Sequence, residues 1–172
     1  FSPPLLGEEE EKEVIDTLRS GWITTGPKTQ QFEKDLATYL GVPNVLTVSS
    51  CTAALHLSMV TLNIGPGDEV ITTPYTFSST AHVVLYVGAK PVFADISPDT
   101  FNINPDNIES LITDKTKAII TMDYGGHPCD IDPILEIAKK YNLKVVVDAA
   151  HSIGSKYKNE KVGKKGDIVC FS

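Results

Sequence analysis

Four short stretches of the chain carry side chains suited to chemistry rather than to filling space. Ser49-Ser50-Cys51-Thr52 sets small hydroxyl and thiol groups between a short apolar run, Val45 to Val48, and an apolar helical stretch running through Leu62. A helix start presents free N–H groups and the positive end of the helix dipole, so this turn is suited to an anion such as phosphate. The same residues are also ordinary N-caps, and alone they favour capping. Val145-Val146-Val147-Asp148-Ala149-Ala150-His151 delivers a carboxylate to the end of an apolar strand. Such an acid can pair with the pyridine nitrogen of pyridoxal phosphate and keep it protonated. A metal-binding aspartate and a helix N-cap are the rival readings. Thr73-Pro74-Tyr75-Thr76-Phe77-Ser78-Ser79-Thr80 follows a strand and brings an aromatic ring to the same edge, where Phe77 can lie flat on a cofactor or simply be core. Gly166 to Ser172 is a strand ending in a serine whose hydroxyl can donate to a phosphate; an unremarkable strand end is the plain alternative.

These residues need elements to hold them, and the pattern supplies alternating helices and strands. Helical spacing runs over Glu8 to Arg19, with Val14, Ile15 and Leu18 on one face, and again through Phe32, Leu36 and Leu40 to Gly41. Thr24-Thr25-Gly26-Pro27 reads as the turn between them. Strands are expected at Val45–Val48, Glu69–Thr72, Pro91–Ala94, Ala118–Met122, Lys144–Val147 and Asp167–Phe171. Helices are expected from Ser49 to Leu62, Phe77 to Val87, Pro105 to Ile112 behind an Asn104 cap, and Asp132 to Tyr141. Unbroken apolar strands alternating with helices predict an α/β fold, a mostly parallel sheet with helices on both faces. Ligands of such sheets bind beyond the C-terminal strand ends, where all four stretches fall.

Composition narrows the function classes. The 172 residues are 41% hydrophobic and 22% charged, ordinary for a globular domain with its own core. A net charge of -7 with thinly spread lysines argues against nucleic acid. No apolar run is long enough to span a bilayer, and Phe1-Ser2-Pro3-Pro4 has no signal-peptide pattern, so a cytoplasmic protein with no membrane partner is expected. Cys51, Cys129 and Cys170 lack close spacing and read as reduced thiols; His56, His82, His127 and His151 are scattered, so no metal site is expected. A flavodoxin- or Rossmann-type nucleotide domain fits poorly, because no Gly-rich loop follows the first strand.

Taken in order, the hydroxyl-rich helix start, the aromatic after the next strand, the strand-terminal Asp148 with His151 three residues on, and the Phe171-Ser172 strand end resemble the DegT–DnrJ–StrS sugar aminotransferases, a group of fold-type-I pyridoxal-phosphate enzymes. The most telling stretches are Ser20 to Pro27, Gly65 to Val70, Asp148 to Ser152 and Gly166 to Ser172, and the likeness extends from about Ser2 to Ser172. The resemblance implies that Cys51 and Thr52 stand at the phosphate turn, Phe77 stacks on the pyridine ring, and Asp148 pairs with its nitrogen. It implies His151 near the ring's phenolic oxygen, where many relatives carry Gln, and Ser172 as a phosphate donor. Trp22, Thr24 and Thr25 match the segment relatives use near the sugar-nucleotide site. Gly126-His127-Pro128 resembles a loop that shapes the site.

In that family the Schiff-base lysine follows the Phe-Ser strand end by a few residues. The lysines of the Lys156 to Lys165 stretch lie in a hairpin-like, solvated context instead. The expectation is therefore that residues 1–172 are the N-terminal part of a cofactor-binding large domain, inactive alone. The implied reaction moves an amino group, with glutamate as donor, to a nucleotide-linked keto sugar in a homodimer. A sugar dehydratase of the same family and a non-catalytic truncated relative are the alternatives.

Overall fold

The structure, a computed structural model, describes residues 4–172; the Phe1-Ser2-Pro3 portion of the N-terminal reading lies outside the described residues. The chain forms two compact units, Phe1–Thr47 and Val48–Ser172.

The first unit holds α1 (Glu8–Ser20) and α2 (Pro27–Leu40). Four glutamates occupy the first turn of α1, at the positive end of its dipole. The Glu10 side chain reaches back to accept from the Gly7 N–H at 2.7 Å. Pro27 opens α2, where a missing N–H costs nothing. Lys28 and Glu13 pair between the helices, and Glu33 Oε1 accepts from both the N–H and the hydroxyl of Thr47, each at 2.8 Å. The apolar residues Val14, Ile15 and Leu18 of α1 remain exposed, as expected of a face with no cover in this chain.

The second unit is built on a five-stranded, wholly parallel sheet. Its strands are β1 (Glu69–Thr72), β2 (Lys90–Phe93), β3 (Thr116–Met122), β4 (Lys144–Ala149) and β7 (Ile168–Phe171), in the order β2-β1-β3-β4-β7. A short antiparallel hairpin, β5 (Lys156–Tyr157) and β6 (Glu160–Lys161), interrupts the connection to β7. The helices are α3 (Cys51–Thr61), α4 (Ser79–Tyr86) and α5 (Ile131–Tyr141).

Alternation along each strand sends side chains to two separate cores. Val70, Ala118, Ile120, Val146 and Cys170 meet Leu55 and Met59 of α3 and Val83 and Val84 of α4 on one face. Ile71, Ile119, Val145 and Val147 meet Ile131, Ile134 and Ala138 of α5 on the other. Both faces are thus covered, which is why the strands are apolar without a break.

Three expectations need correction. Residues 45–48 are extended but join no ladder among the described residues, since an apolar run makes a strand only where a neighbour offers its backbone. Residues 105–112 form two 3₁₀ turns, Pro105–Asn107 and Glu109–Leu111, instead of an α-helix. Its bonds, such as Leu111 N–H to Ile108 O at 3.0 Å, close over three residues, the tighter 3₁₀ pattern that comes in short pieces. α4 begins at Ser79, two residues later than the pattern suggests, which leaves Phe77 in the loop before it.

Candidate functional site

The sheet's strand order reverses between β1 and β3. The connection from β1 runs outward to β2, and that from β3 runs the other way to β4. Parallel sheets open a crevice at the C-terminal ends of strands at such a point. Asp148 stands one strand away, beside the C-terminal end of β3, next to last in β4 and only 2% exposed. β4 pairs with β3 through Met122 and Asp148 and with β7 through Asp148 and Cys170, so its position is held from both sides.

The expected phosphate turn lies against this acid. The Cys51 thiol, in the first turn of α3, sits 3.7 Å from Asp148 Oδ1 and 3.5 Å from the Cys170 carbonyl. Burial, and then the Asp148 charge, push the Cys51 thiol up to about 12, so it stays a neutral donor beside the carboxylate. Burial likewise lifts Cys170 to about 11 and raises Cys129. All three thiols are free. Ser50 realises the capping reading: its hydroxyl accepts from the Ala53 N–H at 3.1 Å. Helix geometry leaves the amides of Cys51 and Thr52 without an intrahelical acceptor, so capping by Ser50 and anion binding by its neighbours are compatible.

Asp148 is met by three kinds of donor. Oδ2 accepts from the buried Thr80 hydroxyl at 2.8 Å. Oδ1 accepts from the Ala150 N–H at 3.3 Å, besides facing Cys51. No helix follows β4, so the acid is not an N-cap. Phe77 is 70% exposed, which rules out the core reading for it, and its carbonyl accepts the Thr80 N–H at 3.1 Å.

His151 is exposed, and its Nδ1 accepts from the Gly125 N–H at 3.3 Å. That bond assigns the proton of the neutral ring to Nε2. Gly126 has φ +84, and a Cβ there would lie 2.9 Å from the His151 carbonyl, so the loop can approach only as glycine. His127 contributes its carbonyl, which accepts from Asn102 Nδ2 at 2.9 Å, while Asn102 Oδ1 receives the Tyr124 N–H at 2.8 Å. Ser172 is exposed directly after β7. Cys51, Thr52, Phe77, Asp148, His151 and Ser172 thus all belong to the second unit.

Trp22, Thr24 and Thr25 belong to the first unit, in the turn between α1 and α2. Trp22 Nε1 donates to the Thr25 carbonyl at 3.0 Å, and the indole lies where a Cβ on Gly26 would be.

Two functional candidates were given no role by the sequence reading. Thr80 is the closest partner of Asp148 yet lies 68 residues away in the chain. Asp123, at the end of β3 and 2% exposed, accepts from the Ser152 hydroxyl at 2.7 Å and the Cys129 N–H at 3.0 Å. Its own N–H donates to the Asp148 carbonyl at 3.1 Å. Burial raises the Asp123 carboxyl. The signal available in sequence was its position one residue past a strand, matching that of Asp148 at the end of the next.

Among protein-family models, the one describing the DegT/DnrJ/EryC1/StrS aminotransferase family matches residues 4–172. The chain belongs to that family. Its relatives include the uncharacterized protein MJ1066 of Methanocaldococcus jannaschii, 55% identical over 98% of this chain and 44% of the relative. Another is the spore coat polysaccharide biosynthesis protein SpsC of Bacillus subtilis, 49% identical over all of this chain and 44% of SpsC. Among solved structures, Spr1654 of Streptococcus pneumoniae in its PLP-form superposes with a TM-score of 0.94 at 42% identity, over 100% of this chain and 48% of that one. An aminotransferase from Psychrobacter cryohalolentis gives a TM-score of 0.95 at 39% identity, over 100% and 44%. The chain therefore spans less than half the length of these family members, and the α/β architecture matches theirs across its whole extent.

Proposed function

We propose that the chain is part of a pyridoxal-phosphate-dependent aminotransferase that moves an amino group, with glutamate as donor, to a nucleotide-linked keto sugar in amino-sugar or polysaccharide biosynthesis. The observation that carries the reading is the buried Asp148 carboxylate facing the hydroxyl-rich start of α3, with Cys51 Sγ 3.7 Å from Oδ1. A buried acid and an anion-binding helix start at the same sheet edge suit one flat, phosphorylated, nitrogen-containing ring. Membership of an aminotransferase family and the likeness to a polysaccharide biosynthesis protein support the reaction class.

The residues present fit the cofactor. The amides of Cys51 and Thr52 and the hydroxyl of Ser172 would hold its phosphate. Phe77, exposed at the crevice, would cover one ring face. Asp148 would bind the ring nitrogen and keep a proton on it. His151, with Nε2–H free to donate, would orient the phenolic oxygen. When bound, pyridoxal phosphate supplies an electron sink that makes a substrate C–H acidic. The Cys51 thiol and the Thr80 hydroxyl hold the two carboxylate oxygens in place, at 3.7 Å from Oδ1 and 2.8 Å from Oδ2. Trp22, Thr24 and Thr25 are proposed to contact the sugar nucleotide, and the lysine that forms the Schiff base and shuttles the proton is proposed to lie beyond Ser172. Residues 1–172 are then the N-terminal part of the large domain.

A cytoplasmic homodimer is part of the same proposal. Leu57 and Val60 of α3 and Leu85 and Tyr86 of α4 are each at least half exposed, an apolar face suited to a covering subunit. No described helix is long and apolar enough to cross a membrane.

The test is an assay of the full-length protein with pyridoxal phosphate, glutamate and nucleotide-linked keto sugars, following both the keto acid and the amino sugar. Replacing Asp148 with Ala should lower the rate by roughly 10²–10³-fold, the usual scale for removing one preorganised electrostatic group. Near-normal turnover would reject the assigned role.

A further inference from the structure

We infer that Thr80 and Thr76 are positioning residues that hold the Asp148 carboxylate aimed at the cofactor nitrogen through a one-way relay of hydroxyl hydrogen bonds. The inference rests on the cofactor reading above and adds to it the groups that make the acid competent.

The polarity of the relay follows from counting hydrogens. A threonine hydroxyl has one hydrogen to give. Thr80 gives it to Asp148 Oδ2 at 2.8 Å, the shortest contact the carboxylate makes. The Thr76 and Thr80 hydroxyls are 2.7 Å apart. With the hydrogen of Thr80 already used, Thr76 must be the donor between them. The direction is Thr76 to Thr80 to Asp148, and each bond polarises the next. A bond onto an ionised carboxylate is about twice as strong as a neutral one.

Placement supports the assignment. Thr80 is fully buried in the first turn of α4, and a β-branched side chain there has few rotamers to lose. Its backbone N–H is bonded to the Phe77 carbonyl at 3.1 Å. One residue therefore ties the backbone of the loop that carries Phe77 to the acid expected to meet the cofactor nitrogen. The donors on the other oxygen are weaker: a thiol at 3.7 Å and an amide at 3.3 Å. Without Thr80, Oδ2 loses its only hydroxyl partner among the described residues while the acid stays buried. A carboxylate free to turn away from the ring nitrogen cannot hold a proton on it.

The test uses pyridoxamine 5′-phosphate labelled with ¹⁵N in the ring, which needs no lysine to bind. Affinity and the ¹⁵N shift of the bound ring are measured on full-length wild type, Thr80→Val, Thr80→Ser, Thr76→Val and Asp148→Asn. The wild type should bind with a protonated ring nitrogen. Thr80→Val should bind about tenfold or more weakly, the equivalent of one hydrogen bond to a charged group, and its ¹⁵N signal should move toward the unprotonated position. Thr80→Ser should restore both readouts, and Thr76→Val should shift both in the same direction by less. Binding and ¹⁵N shift unchanged in Thr80→Val, with Asp148→Asn impaired, would overturn the relay and leave the cofactor reading standing. Failure of the wild type to bind would overturn both. If Thr80→Val does not fold, wild-type behaviour of Thr76→Val overturns the relay.

Discussion

At the scale of single residues, the C-terminal ends of β3 and β4 carry two buried aspartates with different surroundings. Asp148 is bordered by hydroxyl, thiol and amide donors, whereas Asp123 is held by Ser152 and Cys129 and is raised by burial. A raised acid holds its proton more tightly when folded than when unfolded. Its contribution to stability is present below the ordinary carboxylate value of about 4 and is lost as pH rises through the higher folded value. Asp123→Asn does not titrate, so stability relative to wild type should move in favour of the variant as pH rises from about 4. Urea midpoints at several pH values read this directly, and a constant difference would show that the shift is absent. Gly126→Ala should cost about 1–3 kcal/mol, because it combines a left-handed backbone with a clash on the His151 carbonyl. Thermal melts measure the cost, and loss of the Gly125–His151 bond should appear as a changed Gly125 amide signal. Of the site, Asp148 was legible because an apolar strand ending in a carboxylate is a local pattern. Thr80 was not, because nothing local marks a threonine whose partner is 68 residues away.

At the scale of elements, helices and strands with strong periodicity appear where the spacing predicts them. β1 spans Glu69–Thr72, as read from four residues before any partner was known. The failures share a cause: pairing and nucleation are not local. Residues 45–48 have strand composition and no ladder among the described residues, and Pro105 to Ile112 has a cap and a proline start but closes its bonds over three residues instead of four. The lysine-rich stretch does form the expected hairpin, and it also clamps the start of α5. Lys158 pairs with Asp132 Oδ2 at 2.8 Å, and Lys165 pairs with Oδ1. These two bonds hold the Asp132 carboxyl down to about 2. A depressed acid contributes stability above its unfolded value and loses it as pH falls through the folded one. Between about pH 4 and pH 2 the hairpin amides should therefore lose exchange protection in wild type, and Asp132→Asn should show low protection throughout. Hydrogen exchange followed by NMR checks both arms; equal protection in the two proteins would contradict the clamp.

At the scale of the whole chain, a parallel sheet with a separate core on each face predicts independent energetics. Met59→Ala removes packing from the α3–α4 side and Ile134→Ala from the α5 side, where both side chains are fully buried. Each should cost about 2–5 kcal/mol. The double variant should equal the sum within about 0.5 kcal/mol, since the sites share no partners. Urea unfolding of all three proteins tests this, and strong non-additivity would mean that the two faces are not separate. The exposed apolar faces of α1, α3 and α4 show that 172 residues do not bury all their own apolar surface, consistent with a chain that spans less than half of its relatives.

The most direct test of the account is a crystal structure of the full-length protein with pyridoxamine 5′-phosphate. The account predicts the ring nitrogen within hydrogen-bonding distance of Asp148, Phe77 against one ring face, and the phosphate on the amides of Cys51 and Thr52. A phosphate bound away from the start of α3, or a ring nitrogen with no contact to Asp148, would contradict it.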